Sequence, residues 1–347
     1  FNGKNRCYEQ VFNRFSTLRL SKRKMNDSHS INTLRGRMTS GNDVFCSGLF
    51  LSARWFVLSE AASPGINLVV LPDRDSAEYC SADLYSLVEG DRVFYLPVSG
   101  KSVERSNYKS SLGVQRTSAI NSIMSWKPGQ RPLFIVSWPE ALEELVPDRS
   151  RISGAVLTLK KGEDISRDKI IEVLASQNFI RTDFVSAPGQ FAVRGSIIDI
   201  FSFSDSHPYR ISFFGDEVEN INVFDCNTQL SREVRDEASI FPDIIAEEAG
   251  ESGVFISGIL PEDTVVWLDS SDMYKDREFF NGLSGFRKVY IDTPLSRKDV
   301  ETVNFSITPQ PVFNKNFDLL STDISTKMEN GYKVLIYCEK ESQSERL

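Results

Sequence analysis

Short apolar strands alternate with amphipathic helices along the chain, and this alternation constrains the fold more than any other feature of the sequence. In the first half, strands are predicted at 67–71, 93–98 and 133–137, and helices at 74–88, at 112–126 and from about residue 139. Strands separated by helices of this length form β-α-β units with parallel strands. Because such crossovers are right-handed, we expect a doubly wound parallel sheet.

The pattern changes near residue 150. A helix is predicted at 166–176, and it is followed by strands at 190–193, 196–203, 209–214 and 219–224. Gly215 and Asp216 separate two apolar strands, which predicts a tight β-hairpin. Strands joined by short turns are antiparallel, so this segment is predicted to be an α+β domain and not a continuation of the parallel sheet.

Alternation returns after about residue 250, with strands predicted at 264–268, 288–292 and 332–338 and a helix at 316–330. We therefore predict an α/β domain that is split in sequence by an inserted α+β domain. The predicted parts are a basic amino-terminal segment (1–40), the first part of the α/β domain (41–150), the insert (151–238) and the second part of the α/β domain (239–347). Because the chain ends soon after a strand, we expect a longer protein.

Charge and cysteine content exclude several function classes. The net charge of −8 argues against nucleic-acid binding by the whole chain, although residues 1–38 carry nine basic residues against two acidic ones. This basic segment is either a solvated helix face or a weak DNA contact. The five cysteines form no C-x-x-C pair, and there are two histidines. We therefore expect no metal site, no disulfide framework and a cytoplasmic location. No apolar run in the sequence is long enough to span a membrane.

Several consecutive motifs in the predicted insert resemble one protein family. Residues 187–201 read APGQFAVRGSIIDIF, similar to the family pattern pGefavRGgIiDiFp. Residues 208–217 read PYRISFFGDE, similar to PyRieffgdEie, and NVFD and TQLS follow at 222–225 and 228–231. These motifs, in this order, resemble UvrB and, more closely, the UvrB-like amino-terminal region of bacterial transcription-repair coupling factors.

The resemblance covers about residues 45–347, including the segment QPVFNKNF at 310–317. It implies a degenerate RecA- or helicase-like parallel-sheet domain, split in sequence, whose insert binds UvrA. The implied function is recruitment of the nucleotide-excision-repair protein UvrA to RNA polymerase stalled at a lesion. Complete coupling factors also contact RNA polymerase and DNA, and they carry an ATP- and Mg²⁺-dependent DNA translocase motor. No such motor is visible in this sequence, and we expect it in a further part of the protein.

The family resemblance places the UvrA-contacting positions on Arg194, Arg210 and Phe214. Side chains alternate along a strand, so Arg210 and Phe214 share one face of 209–214 while the apolar residues between them suit the core. Exposed arginine and aromatic side chains are typical of interface hot spots. Two alternatives remain open: Arg194 pairs with Asp199 or another nearby acid, or Phe214 packs under a loop. Asp199, in an apolar strand, is more typical of a partner for backbone or arginine groups than of a catalyst.

The segment that corresponds to the P-loop of UvrB departs from the phosphate-binding pattern. Counting from Gly48, Ala53 replaces the second glycine, Arg54 replaces the lysine and Trp55 replaces the Mg²⁺-binding hydroxyl. Asp269 is followed by serine where a helicase has glutamate. We expect no ATP hydrolysis and no cofactor in this chain, and an ordinary loop-to-helix junction at 48–55. Residual anion binding at the helix terminus is left open.

The alternative function is a helicase-derived DNA-binding module of an excision-repair protein, using the basic segment. UvrB contacts damaged DNA through a hairpin rich in aromatic residues. The corresponding region here, 95–111, holds Tyr108 but no tyrosine cluster. This departure counts against damage recognition.

Overall fold

The computed structural model describes residues 29–99, 111–205, 207–244, 253–291, 300–305, 307, 311–314, 316–332 and 334. The chain divides into two compact units, residues 1–306 and 307–347. In chain order, the strands are β1 (Val44–Ser47), β2 (Ile66–Val70), β3 (Val93–Tyr95), β4 (Leu133–Ser137), β5 (Leu157–Lys160), β6 (Ile180–Arg181), β7 (Gln190–Arg194), β8 (Ile197–Ile200), β9 (Tyr209–Phe214), β10 (Glu217–Phe224), β11 (Ser231–Arg235), β12 (Glu237–Ile240), β13 (Val265–Leu268), β14 (Arg287–Tyr290) and β15 (Glu301–Asn304). The helices are α1 (His29–Thr39), α2 (Ala53–Ala61), α3 (Arg74–Leu87), α4 (Ser111–Ser125), α5 (Pro139–Glu143), α6 (Arg149–Ala155), α7 (Arg167–Ser176), α8 (Glu278–Asn281) and α9 (Phe317–Glu329).

Within the described residues, a seven-stranded sheet lies in the order β15-β1-β14-β13-β2-β4-β3. Every neighbouring pair in it runs parallel, which confirms the predicted parallel sheet. Strands from before and after the insert interleave, since β1 lies between β14 and β15. β2, β4 and β13 are buried along their whole length, as expected of central parallel strands covered on both faces.

Helix α3 begins at a capping residue and buries one apolar face, as its sequence predicts. At the start of α3, the side chain of Asp73 accepts a hydrogen bond from the backbone N–H of Ser76 at 2.8 Å. The helix then buries Ala77, Cys80 and Leu84 at spacings of three and four residues, which form one apolar face. α3 therefore covers the sheet with that face and exposes its charged face.

Helix α1 occupies the described part of the predicted basic segment. It buries Ile31, Leu34 and Met38. Arg35 donates from Nε to the backbone oxygen of Glu60 at 3.0 Å, and Arg37 donates to the backbone oxygen of Thr302 at 2.9 Å. Residues 29–39 are therefore a packed helix, while residues 1–28 lie outside the described residues.

The insert contains a six-stranded sheet in the order β11-β10-β9-β8-β7-β6 and a two-stranded pair, β12-β5. Its pairs are antiparallel except β6 with β7. One face of the larger sheet forms a core with α7, in which Ile198, Ile211, Phe213, Ile170 and Leu174 are buried. The inserted segment therefore has its own hydrophobic core.

Two glycines make the tight turns of the insert. Gly195, between β7 and β8, has φ +59°, and Gly215, between β9 and β10, has φ +65°. Each begins a two-residue loop, since Arg194 pairs with Ile197 and Phe214 pairs with Glu217. Positive φ at the first loop position is the geometry of a type II′ turn, which favours glycine. The predicted hairpin at 215–216 is confirmed.

The second unit contains α9, close to the predicted helix at 316–330. The side chain of Asn316 caps it by accepting from the backbone N–H groups of Asp318 and Leu319, each at 3.1 Å. Tyr332 and Val334 are in no regular element, and the rest of the predicted strand 332–338 lies outside the described residues. No helix in the described ranges has the length and apolar character needed to cross a bilayer.

Candidate functional site

Two arginines of the insert share one buried carboxylate. Asp199 on β8 lies opposite Arg210 on β9 and opposite Ala192 on β7. Its side chain is 1% exposed. Arg210 donates from Nε to Oδ1 at 2.8 Å and from Nη2 to Oδ2 at 2.9 Å, while Arg194 donates from Nη2 to Oδ2. Fork-shaped contacts of this kind fix both partners and satisfy a charge that burial would otherwise destabilise.

The guanidinium of Arg210 is held on every side by the insert. It lies over the ring of Phe224 at 4.2 Å from the centroid. Its Nη2 donates to Oε1 of Gln229 at 2.9 Å, and Gln229 has a left-handed backbone with φ +60°. The hydrogen bonds to Asp199 raise the pKa of Arg210. With 21% of its side chain exposed, Arg210 is primarily an internal clamp between β8, β9 and the loop after β10.

Arg194 is more open to solvent than Arg210. Its side chain is 38% exposed, and its guanidinium lies 5.1 Å from the ring centroid of Phe184, which is itself 63% exposed. Arg181, Asp183 and Val193 contribute with these two residues to an open depression of about 540 Å³. A cation stacked on an exposed ring presents both charge and apolar area to a partner.

Phe214 stands at the tip of the β9–β10 hairpin and is 78% exposed. Its neighbours Ile211 and Phe213 are buried, as the alternation predicts. The sheet face that carries Phe214 continues along one row of paired residues, from Asp199 through Arg210 and Asn222 to the exposed Val234 on β11. We call this face of the sheet, with the loop residues over it, the outer face. It comprises Phe184, Arg194, Asp199, Arg210, Phe214, Gln229 and Val234.

The three predicted contact residues thus lie on one face of the six-stranded sheet. Arg194 and Arg210 come together over Asp199, and Phe214 lies beyond them at the hairpin tip. The pairing of Arg194 with Asp199 that the sequence left open is present, whereas Phe214 is not covered by a loop. Sequence reasoning missed Phe184, which precedes β7 in a loop without periodicity, and Gln229, whose role depends on its backbone turn.

The segment predicted as a degenerate nucleotide site lies at the carboxyl edge of the parallel sheet. Gly48 follows β1 with φ +74°, and a Cβ there would be 2.0 Å from the backbone oxygen of Phe305. The glycine therefore serves close backbone packing. The backbone N–H groups of Ala53 and Arg54 donate to the oxygens of Phe50 and Leu51, each at 3.2 Å. These donors are already satisfied within the loop.

Arg54 and Asp269 are brought together across this edge. The Arg54 guanidinium donates to Oδ2 of Asp269, and its Nε donates to the oxygen of Leu51 at 3.0 Å. Arg54 also lies 4.6 Å from the ring centroid of Trp55. Asp269 is buried, and the hydroxyl of Ser270 donates to its Oδ1 at 3.0 Å. In the part of the chain that the structure describes, no cluster of acidic, histidine and cysteine side chains is suited to hold a metal ion.

Comparisons with known proteins agree with the motifs. Residues 157–244 match the UvrB interaction domain family. The chain is 32% identical over 167 residues to the transcription-repair-coupling factor of Bacillus subtilis, which covers 48% of this chain and 14% of that protein. It is 30% identical over 126 residues to the Escherichia coli transcription-repair-coupling factor, covering 36% of this chain and 11% of that protein.

A longer match is found with the transcription-repair-coupling factor of Staphylococcus aureus strain bovine RF122. It is 26% identical over 257 residues and covers 73% of this chain and 22% of that protein. The chain therefore spans less than a quarter of the length of these relatives. The resemblance indicated by the motifs is confirmed, and the outer face lies within the matched interaction domain.

Proposed function

We propose that this chain, which resembles the UvrB-like amino-terminal region of transcription-repair coupling factors, recruits UvrA through the outer face of its insert. The observation that carries the proposal is that the exposed Phe214 lies on the same sheet face as a pair of arginines, all within residues 157–244 that match the UvrB interaction domain. In an intact coupling factor, this contact would bring UvrA to RNA polymerase stalled at a lesion. RNA polymerase and DNA would be bound by other parts of that protein.

The outer face has the composition of a protein-binding hot spot. Phe214 and Phe184 are large exposed apolar side chains, and burial of such rings against a partner is favourable in proportion to the area removed from water. Arg194 adds a partly exposed guanidinium, which binds carboxylates with planar, paired hydrogen bonds. A partner surface with an apolar pocket and an adjacent carboxylate therefore fits this face best.

Arg210 contributes by a different route from Arg194. Its donors are engaged by Asp199 and Gln229, so it supports the arrangement of β8, β9 and the Gln229 turn. We therefore assign Arg210 a positioning role, while Phe214 and Arg194 contact the partner. A change at Arg210 would reduce UvrA binding by disturbing the outer face, and it would also lower stability.

The test is binding of the whole chain to purified UvrA without added nucleotide. Phe214→Ala and Arg194→Ala are expected to weaken binding by about 1–3 kcal/mol each, or roughly fivefold to 150-fold, because truncation of a hot-spot residue loses its buried contact. Tyr79→Ala is the matched control, since Tyr79 is an equally exposed aromatic residue on α3. Wild-type affinity in both outer-face variants would contradict the proposal.

The same proposal assigns no ATP hydrolysis to this region, leaving the motor to another part of an intact coupling factor. The observations that support it are the pairing of Arg54 with Asp269 and the engagement of the loop N–H groups by loop carbonyls. A phosphate would have to displace the Asp269 carboxylate, which carries the same charge sign. A measurable, Mg²⁺-dependent ATPase rate that Arg54→Ala changes would overturn this assignment.

The DNA-binding alternative receives no support from the described part of the basic segment. Arg35 and Arg37 are engaged by backbone oxygens of Glu60 and Thr302, and Arg37 also pairs with Glu301 at 3.2 Å. A DNA titration at several salt concentrations separates the alternatives, because phosphate contacts produce a steep loss of affinity with salt. Tight, salt-sensitive DNA binding together with no UvrA binding would favour the alternative.

A further inference from the structure

A polar cavity of about 320 Å³ lies where the insert meets the parallel-sheet part of the first unit. Helix α4 and strand β3 form one side, and β9, β12 and the loop before β9 form the other. Ser125 and Glu237 are exposed at its rim, whereas Asn121 is buried in its lining. The cavity lies apart from the residues assigned to UvrA binding, since none of those residues lines it.

Hydroxyl groups in the lining present lone pairs to the cavity because their protons are already used. Ser122 donates to the backbone oxygen of Ala119 at 2.7 Å, and Ser125 donates to the backbone oxygen of Asn121 at 2.8 Å. The hydroxyl of Ser204 donates to Oδ2 of the Asp205 carboxylate at 2.9 Å. A hydroxyl that has donated its one proton remains only an acceptor. The lining therefore favours a ligand that is rich in hydrogen-bond donors.

Two carboxylates give this lining a negative character. Asp205 is partly buried, and its pKa is raised because burial removes the carboxylate from water. Glu237 stands at the rim, where Lys160 approaches it to 3.6 Å. Among the described residues, no lysine, arginine or histidine lines the cavity, and the nearby Arg235 is paired with Glu233 at 2.8 Å. A cationic ligand would offset the cost of burying the Asp205 charge.

Asn121 supplies a second, independent indication of a ligand. Its side chain is among the buried polar groups at 1% exposure, and neither Nδ2 nor Oδ1 has a hydrogen-bond partner among the described residues. A buried amide without hydrogen-bond partners is destabilising, so such groups are rare in proteins without a functional reason. The N–H donors of a bound molecule would satisfy Oδ1, and an acceptor elsewhere on the same molecule would satisfy Nδ2.

Aromatic rings complete the lining, with Phe94 and Phe241 joining Tyr209. Aromatic faces attract cations, and a planar guanidinium stacks on them while its N–H groups point to acceptors in its plane. We propose that this cavity binds a small ligand bearing a guanidinium group, which stacks on the aromatic side chains and donates to Asp205 and the lining hydroxyls. The guanidinium belongs either to a free small molecule or to an arginine side chain of a polypeptide.

The test uses a matched pair of probes with the whole chain. N-acetylarginine amide is titrated beside N-acetylcitrulline amide, which has the same shape without the charge, and binding is followed through the side-chain amide resonance of Asn121. We expect the arginine probe to bind at least tenfold more tightly than the citrulline probe. Equal affinities of the two probes would overturn the proposal. So would an Asn121 side-chain resonance that neither probe shifts.

Two variants locate the binding. Asp205→Asn and Asn121→Leu are expected to weaken the arginine probe by at least tenfold, while Glu262→Gln, an exposed acid outside the cavity lining, leaves it unchanged. Unchanged binding in both cavity variants would also overturn the proposal.

Butylguanidine and a blocked pentapeptide with a central arginine separate the two sources of the guanidinium group. Binding of butylguanidine alone supports a free small molecule, and binding of the peptide as well supports an arginine side chain.

Discussion

Arg54 pairs with Asp269 across the carboxyl edge of the parallel sheet, although the two residues are 215 positions apart in the chain. Arg54 belongs to the segment before the insert, and Asp269 directly follows β13 after the insert. The pair therefore joins the two sequence segments of one sheet at the edge where a phosphate site would lie in an α/β protein. A position that typically serves nucleotide binding here contributes to the packing of the chain.

Removing one partner of this pair is expected to destabilise the fold. Arg54→Ala leaves the buried Asp269 without its guanidinium, and we expect a loss of about 1–3 kcal/mol, less than the ~3–5 kcal/mol of a fully buried pair because Arg54 is partly exposed. Thermal and urea unfolding of Arg54→Ala, Asp269→Asn and the double variant measure the coupling. Strictly additive effects would show that the pair contributes nothing as a unit.

Asp199 is expected to be the residue on which the outer face depends most. Asp199→Asn keeps the side-chain size but leaves Arg194 and Arg210 without their shared charge, so we expect a loss of about 3 kcal/mol in the insert. Hydrogen exchange of β8 and β9 measures it directly. Asp216→Asn, at the exposed hairpin turn, is the control. Unchanged protection of β8 and β9 in Asp199→Asn would contradict a clamp role.

Two glycines with positive φ are expected to differ in how they tolerate alanine. Gly215→Ala meets nothing within 4 Å, so it should cost only the conformational penalty of about 1 kcal/mol. Gly48→Ala adds a Cβ that would be 2.0 Å from the backbone oxygen of Phe305, and we expect a much larger loss or failure to fold. Melting temperatures of the two variants distinguish them. Similar values would show that the backbone at Gly48 relaxes freely.

Buried thiols should be unreactive in the folded chain. Burial raises the pKa of Cys46 from 9.0 to about 12 and holds that of Cys80 well above its ordinary value, whereas Cys226 is partly exposed. Since the thiolate is the nucleophile, we expect iodoacetamide at pH 8 to modify Cys226 and to spare Cys46 and Cys80. Mass spectrometry of the labelled peptides measures this. Rapid labelling of Cys80 in the folded chain would contradict it.

The raised thiol pKa also sets a direction for stability at alkaline pH. Between about pH 9 and 12, the Cys46 thiol keeps its proton in the folded chain but loses it in the unfolded chain. The unfolded state therefore gains relative stability as pH rises through this window, and the melting temperature should fall. Cys46→Ala is expected to reduce that fall. A fall of the same size in the variant would assign the effect to other groups.

Local sequence patterns predicted the positions of strands and helices, and they also predicted which side chains of a strand are buried. Residues 133–137 were predicted as a strand with the observed bounds, and the alternation in 209–214 correctly separated the buried Ile211 and Phe213 from the exposed Phe214. These predictions succeed because a side chain's direction follows from its position along a strand. For the basic segment the sequence favoured a solvated helix face, whereas α1 packs one face into the fold by burying Ile31, Leu34 and Met38.

The amino-acid sequence by itself determined the alternation of strands and helices, the turn at Gly215, the loss of phosphate-binding residues after Gly48 and the resemblance to UvrB-like proteins. All of these depend on neighbouring residues or on motifs read along the chain. Only the tertiary structure decided that β1 lies between β14 and β15, that Arg194 and Arg210 share Asp199, and that Asn121 lines a cavity without a hydrogen-bond partner among the residues described. The reason is physical: such contacts depend on which distant segments become neighbours, and packing of the whole unit, not local periodicity, selects them.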